Sequence, residues 1–222
     1  IRDFCLSRGL GDVYKRQVVS SMAFGQSSLA TQQYKVFIIH GYGATPQDHW
    51  FPWLKQQTSQ YDISTVMIPF PNSEHPDFER WQQTLRDYVD IPDERCIFVA
   101  HSLGTISLLH YLSVMRPKRI GGMILVAGFA GRIPGLAKIN DFNIDAYVDR
   151  TTIDFAAIQT MTSKIYCVIS DDDYIVVPKS SYSLAQQLHA QIINVEKGGH
   201  FLAADGFTQL PQVWLALKQC IQ

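Results

Sequence analysis

The sequence predicts an α/β fold: a doubly wound sheet of about six parallel strands with helices on both faces. Two observations predict it. From Tyr34 onward, short apolar runs rich in Val and Ile alternate with polar segments of helical character, and such alternation builds βα units rather than sandwiches or bundles. Four of the six runs are almost continuously apolar, which parallel strands require when both sheet faces are covered.

The elements follow in chain order. Residues 34–40 (Tyr-Lys-Val-Phe-Ile-Ile-His) make the first strand, and 46–57 the first expected helix. The second strand is 63–68, followed by a helix over 76–89 in which Phe78, Trp81, Leu85 and Val89 recur at spacings of three and four and so form one apolar stripe. The third strand, 96–100, runs directly into a helix at 103–115. After the fourth strand, 123–127, residues 129–150 read as a long irregular connection, which in a small domain is usually functional and here is a candidate cap over a pocket. A helix over 152–161, a strand at 165–169, a helix over 179–188, a strand at 192–195 and a helix over 210–220 complete the series.

Residues 1–33 show neither periodicity and read as a disordered or artefactual N-terminal tail, leaving 34–222 as the folded domain. Asp12-Val13-Tyr14-Lys15-Arg16-Gln17 resembles the translation of a transposon end used in preparing sequencing libraries, a scar that lies outside fold reasoning, and Met22 offers an internal start. A secretory reading is weak, because Lys15-Arg16 interrupts any apolar run ahead of Ser21-Met22-Ala23.

Composition narrows the function classes. A chain of 222 residues fits one ordinary domain. Its 19 basic and 20 acidic residues leave a formal charge of −1, without the basic excess that binding a phosphate backbone demands, so nucleic acid is not an expected partner. No run approaches the roughly 20 apolar residues that cross a bilayer, and no membrane partner is expected. Cys5, Cys96, Cys167 and Cys220 lie far apart, which predicts free thiols in a reducing, cytoplasmic setting. No histidine stands at metal-ligand spacing, so neither a metal nor a cofactor is expected.

The chemistry concentrates at the ends of strands. In Ala100-His101-Ser102-Leu103-Gly104, an apolar strand meets a serine between small residues and then a helix, the context in which a tight turn lifts a nucleophilic hydroxyl above the sheet edge. The alternative is that Ser102 only caps the helix. The N–H of Leu103, at the helix start, is one candidate oxyanion donor; the N–H of Tyr42, in the turn Gly41-Tyr42-Gly43 after the first strand, is the second. Strand order reverses between the first and third strands of such sheets, which puts these two turns side by side. After the fifth strand come Asp171, Asp172 and Asp173, and after the sixth comes Gly198-Gly199-His200. The order Ser, Asp, His is that of a class of catalytic triads on doubly wound sheets: His200 would be the base for Ser102 and an aspartate would hold its imidazole. The register Asp173-Tyr174-Ile175-Val176 ahead of a proline-started helix favours Asp173 as the acid, with Asp172 in reserve and Asp171 as a cap of its own turn. His40 and His101 read as structural.

The chain resembles the retinoblastoma-binding protein 9 family of small serine hydrolases over about residues 34–222. The resemblance rests on 36–43, on His49-Trp50 with Trp53-Leu54, on 67–71 followed by Trp81, on His101-Ser102-Leu103-Gly104, and on Gly199-His200-Phe201. It implies a compact α/β-hydrolase fold and hydrolysis of small carboxylic esters through an acyl-enzyme on a Ser-His-Asp triad. The chain departs from the family at Ala100, where glycine is common, and by one extra residue in the acidic turn. Two alternatives stand beside the esterase: a thioesterase or peptidase using the same triad, and an interaction module on a hydrolase scaffold. Against the last, the retinoblastoma-pocket motif L-x-C-x-E does not occur. The 129–150 segment, with Phe129, Ile133, Leu136, Ile139, Phe142 and Tyr147, is expected to line the acyl pocket and to favour short-chain esters.

Overall fold

The computed structural model describes residues 33–222; the tail reading lies almost wholly outside them. Six parallel strands form one sheet, β1 (Lys35–Ile39), β2 (Ser64–Ile68), β3 (Cys96–His101), β4 (Gly122–Val126), β7 (Ile165–Ser170) and β8 (Gln191–Val195), in the order β2-β1-β3-β4-β7-β8. The order reverses between β1 and β3, which pair in register from Lys35↔Cys96 to Ile39↔Ala100. The chain leaves these two central strands at the same edge of the sheet. That edge collects the loops after β1, β3, β4, β7 and β8.

Alternation along the strands divides the core. Phe37, Ile39, Phe98, Ala100, Met123 and Leu125 face one side, where α2 (Phe78–Val89), α3 (Leu103–Met115), α5 (Phe155–Met161) and α6 (Pro178–Leu188) pack. Val36, Ile38, Ile97, Val99, Ile124 and Val126 face the other, covered by α1 (Phe51–Ser59) and α7 (Pro211–Ile221). The stripe of α2 is buried at Phe78, Trp81, Leu85 and Val89.

Three helices start later than their patterns suggest, and local polar bonds explain why. Asp48 accepts from the amide and hydroxyl of Thr45, and His49 has φ +54°, so the chain turns before α1 begins at Phe51. Asp77 and Asp154 cap α2 and α5, accepting from the amides of Arg80 and Ala157, and delay both starts to the residue after the aspartate. The larger correction concerns 129–150. It is not irregular: β5 (Lys138–Ile139) and β6 (Phe142–Asn143) pair as a small antiparallel hairpin, and α4 (Ile144–Val148) follows. Asn143 caps α4 through the Ala146 amide, and Arg132 joins Asp149 and Asp145 across the base of the segment.

Candidate active site

Ser102 stands between β3 and α3 with φ +52° and ψ −125°, a conformation that non-glycine residues rarely hold. Its side chain makes no helix-capping bond. The turn is tight because its neighbours are small. A Cβ on Gly104 would lie 2.4 Å from the His40 carbonyl oxygen, and one on Gly41 would lie 2.8 Å from the Ser102 Cβ and 3.2 Å from the Leu103 nitrogen. These approaches bring the loop after β1 against the start of α3. The Ser102 amide donates to Val126 O at 3.0 Å, and the Thr105 hydroxyl donates to Ser102 O at 2.7 Å, so the strained turn is held on both sides.

Ser102 Oγ is 2.9 Å from His200 Nε2, and His200 Nδ1 is 3.0 and 2.9 Å from the two carboxylate oxygens of Asp173. Asp173 Oδ1 also accepts from the amides of Ile175 and Val176, each at 2.9 Å. Because the carboxylate takes Nδ1–H, Nε2 is left as the acceptor for the serine hydroxyl. Ser102, Asp173 and His200 are 9%, 5% and 3% exposed, so this relay is screened from bulk water. The three residues have the geometry of a catalytic triad.

The other two aspartates do different work. Asp172 Oδ1 accepts from the Ser170 hydroxyl at 2.7 Å and the Gly199 amide at 2.8 Å, and these two bonds hold its carboxyl below the usual range. Asp171 does not cap its own turn: Oδ1 accepts from the Lys197 amide at 2.8 Å, in the neighbouring loop. Both reach the segment that carries His200, because β7 and β8 pair in register up to Ser170↔Val195.

Neither the Tyr42 nor the Leu103 amide donates to any acceptor among the described residues. Both lie beside Ser102. The loop that carries Tyr42 is fixed from behind by His40, which is buried with its Nδ1–H donating to Gly41 O at 2.9 Å and its Nε2 accepting from the Phe70 amide at 3.1 Å. Burial lowers the pKa of His40 and keeps it neutral, which this bonding pattern needs. His101 turns to the opposite face, among Trp50 and Phe51, yet its Nε2–H reaches His200 O at 2.9 Å.

Above Ser102 lies a narrow apolar slot, wide enough as it stands for little more than one water molecule. Phe129, Ile133, Leu136, Ile139 and Phe142 of the 129–150 segment line it. Tyr147 does not; it is buried behind the slot, where its hydroxyl donates to Ser107 Oγ at 2.9 Å. Ile144, Ile175 and Val176 complete the wall, and these sequence reasoning missed, since nothing in a β-branched run after an acidic turn separates pocket lining from core. The Tyr42 ring stacks on Phe142 at 5.4 Å and its hydroxyl accepts from Asn140 Nδ2 at 3.2 Å, joining the hairpin to the loop after β1.

A sequence model of the serine hydrolase family matches residues 36–219. YdeN of Bacillus subtilis strain 168 is 38% identical over 181 residues, covering 81% of this chain and 92% of YdeN. The crystal structure of the B. subtilis ydeN gene product superposes with a TM-score of 0.77 at 35% identity, covering 85% of this chain and 98% of that one. Est1E from Butyrivibrio proteoclasticus, at 14% identity, matches with a TM-score of 0.60 over 84% of this chain and 89% of its own, a likeness of fold alone. With nearly its whole described length matched, and with a relative of similar extent sharing more than a third of its residues, the chain belongs to the serine hydrolase family.

Proposed function

We propose that Ser102, His200 and Asp173 hydrolyse small carboxylic esters through an acyl-enzyme, with the amides of Leu103 and Tyr42 as the oxyanion hole. The continuous hydrogen-bond path from Ser102 Oγ through the imidazole to Asp173 carries this reading. A serine hydroxyl is a weak nucleophile until a base takes its proton, and Nε2 at 2.9 Å is in reach. As Oγ attacks the ester carbonyl, its proton passes to His200, Asp173 stabilises the imidazolium, and the negative oxygen accepts from the two free amides. The imidazolium then protonates the departing alkoxide, leaving the acyl group on Ser102. Water repeats the sequence: His200 takes its proton, the hydroxide attacks the acyl carbon, and the carboxylic acid leaves as the proton returns to Oγ.

The slot supports a short, uncharged acyl group. Its lining has no carboxylate to pair with a substrate ammonium, which favours esters or thioesters over aminoacyl amides. The buried free thiols of Cys96, Cys167 and Cys220 support a reducing, cytoplasmic compartment, and no helix among the described residues is long and apolar enough to cross a membrane. A fluorophosphonate probe, with a panel of p-nitrophenyl esters from acetate to decanoate, tests the proposal. Labelling at Ser102 and a preference for short chains are expected. Undiminished labelling of Ser102→Ala would overturn the mechanism, and a preference for decanoate would overturn the substrate class.

A further inference from the structure

His200 stands in a loop that is poorly placed to hold itself. Lys197, Gly199 and Phe201 have φ of +53°, +51° and +58°, so every second residue around His200 is left-handed and no strand ladder continues. A base that must serve first Oγ and then the leaving group tolerates little displacement, and an error of about 1 Å can cost about a hundredfold in rate.

Both main-chain groups of His200 are bound by side chains from other elements. Its N–H donates to Asp205 Oδ2 at 2.9 Å, and its carbonyl accepts from His101 Nε2–H at 2.9 Å. Asp205 is itself fixed: Oδ2 takes the Leu202 amide at 3.1 Å, and Oδ1 takes the Tyr174 hydroxyl at 3.0 Å. Tyr174 directly follows Asp173, so Asp205 ties the acid's loop to the base's loop. His101 directly precedes Ser102, so the two residues at the elbow hold His200 at two points, Oγ on the imidazole and Nε2–H on the carbonyl. His101 is buried, and its Nδ1 has no partner among the described residues. A buried imidazole with one nitrogen unmatched adds little to stability, which leaves its bond to His200 as its evident use.

We propose that Asp205 and His101 are positioning residues that clamp the backbone of His200 from both sides and set its imidazole against Ser102. The proposal rests on the triad assigned above. The experiment measures kcat and KM on p-nitrophenyl acetate for Asp205→Ala, Asp205→Asn and His101→Leu, each normalised to active sites counted by fluorophosphonate titration carried to completion, beside Ser102→Ala normalised to protein concentration. Asp205→Ala and His101→Leu should lower kcat per site about 10- to 100-fold with KM within about twofold. Asp205→Asn should stay within about threefold of wild type, because its amide oxygen still accepts the His200 N–H. A residue that only supported the fold would reduce the number of titratable sites and leave kcat per site unchanged. Should Asp205→Ala not fold, His101→Leu decides, since leucine suits the apolar layer of Trp50 and Phe51. Wild-type kcat per site in His101→Leu or Asp205→Ala, with Ser102→Ala inactive, overturns the clamp and spares the triad; turnover by Ser102→Ala overturns the triad itself.

Discussion

On one side of Ser102, four consecutive residues from Asp171 to Tyr174 each share a hydrogen bond with the segment from Lys197 to Asp205, the three aspartates accepting and Tyr174 donating. On the other side, the slot wall from Phe129 to Phe142 meets the serine almost wholly through apolar contact. The difference teaches what each wall specifies. Hydrogen bonds have fixed lengths and angles, so the polar wall sets where a proton can move; apolar packing is non-directional, so the opposite wall sets only how large a group fits. Substitutions in the first should therefore change rate, and substitutions in the second should change substrate choice.

Ser102→Ala should have the largest effect, lowering kcat by about 10⁶-fold if the behaviour of serine-protease triads transfers, and abolishing probe labelling while the fold stays intact. Asp173→Asn comes next, at about 10⁴-fold, because an amide at that place favours the wrong imidazole tautomer. Asp172→Asn should cost less than about tenfold: its amide oxygen can still accept from Ser170 and Gly199. Steady-state kinetics on one short ester separates the two, and a collapse in Asp172→Asn with Asp173→Asn near wild type would reverse their roles. On the apolar wall, Phe142→Ala should leave probe labelling in place and shift the octanoate-to-acetate ratio of kcat/KM upward by roughly tenfold, since removing the ring that Tyr42 stacks on lengthens the slot. An unchanged ratio would make the segment a connector rather than a pocket wall.

The two walls also differ in how far the sequence disclosed them. All six strands could be read from the sequence to within a residue or two: the four inner ones because a strand buried on both faces is an almost uninterrupted apolar run, and the edge strands β2 and β8 as shorter Val/Ile-rich runs in the alternation with helices. The meeting of Ser102, Asp173 and His200 was readable for the same reason: each follows a recognisable strand, and parallel strands end at one edge. The cap was not. Two-residue strands carry no periodicity, so the hairpin Lys138–Ile139 with Phe142–Asn143 looks like loop until it is paired. Nor was the link from Asp205 to the His200 amide, since an aspartate in Ala-Ala-Asp-Gly has no local signature and its partners are set by a turn with positive φ at Gly199 and Phe201.

The smallest effect concerns acid, and it should divide the molecule along the same line. His40 and His101 are buried and held neutral: desolvation lowers both pKa values, His101 well below the ordinary 6.5, with Asp48 opposing the shift at His40 and with His200 and His49 adding to it at His101. In the unfolded chain both titrate near 6.5. Below that pH the unfolded state binds more protons than the fold, so stability falls as pH falls, by up to about 1.4 kcal/mol per pH unit for each histidine until it protonates in place. The window from pH 6.5 down to about 5 lies above the ordinary carboxylate range, so the slope there belongs to histidines. Denaturant midpoints at pH 7, 6 and 5 should show the loss, and His101→Leu should make the slope shallower. Phe142→Ala should lower stability by a similar amount at every pH and leave the slope alone, because the slot lining has no group that titrates in this window. A wild-type slope in His101→Leu would mean that this imidazole is protonated in the fold as readily as in the open chain, and is not held neutral by its burial.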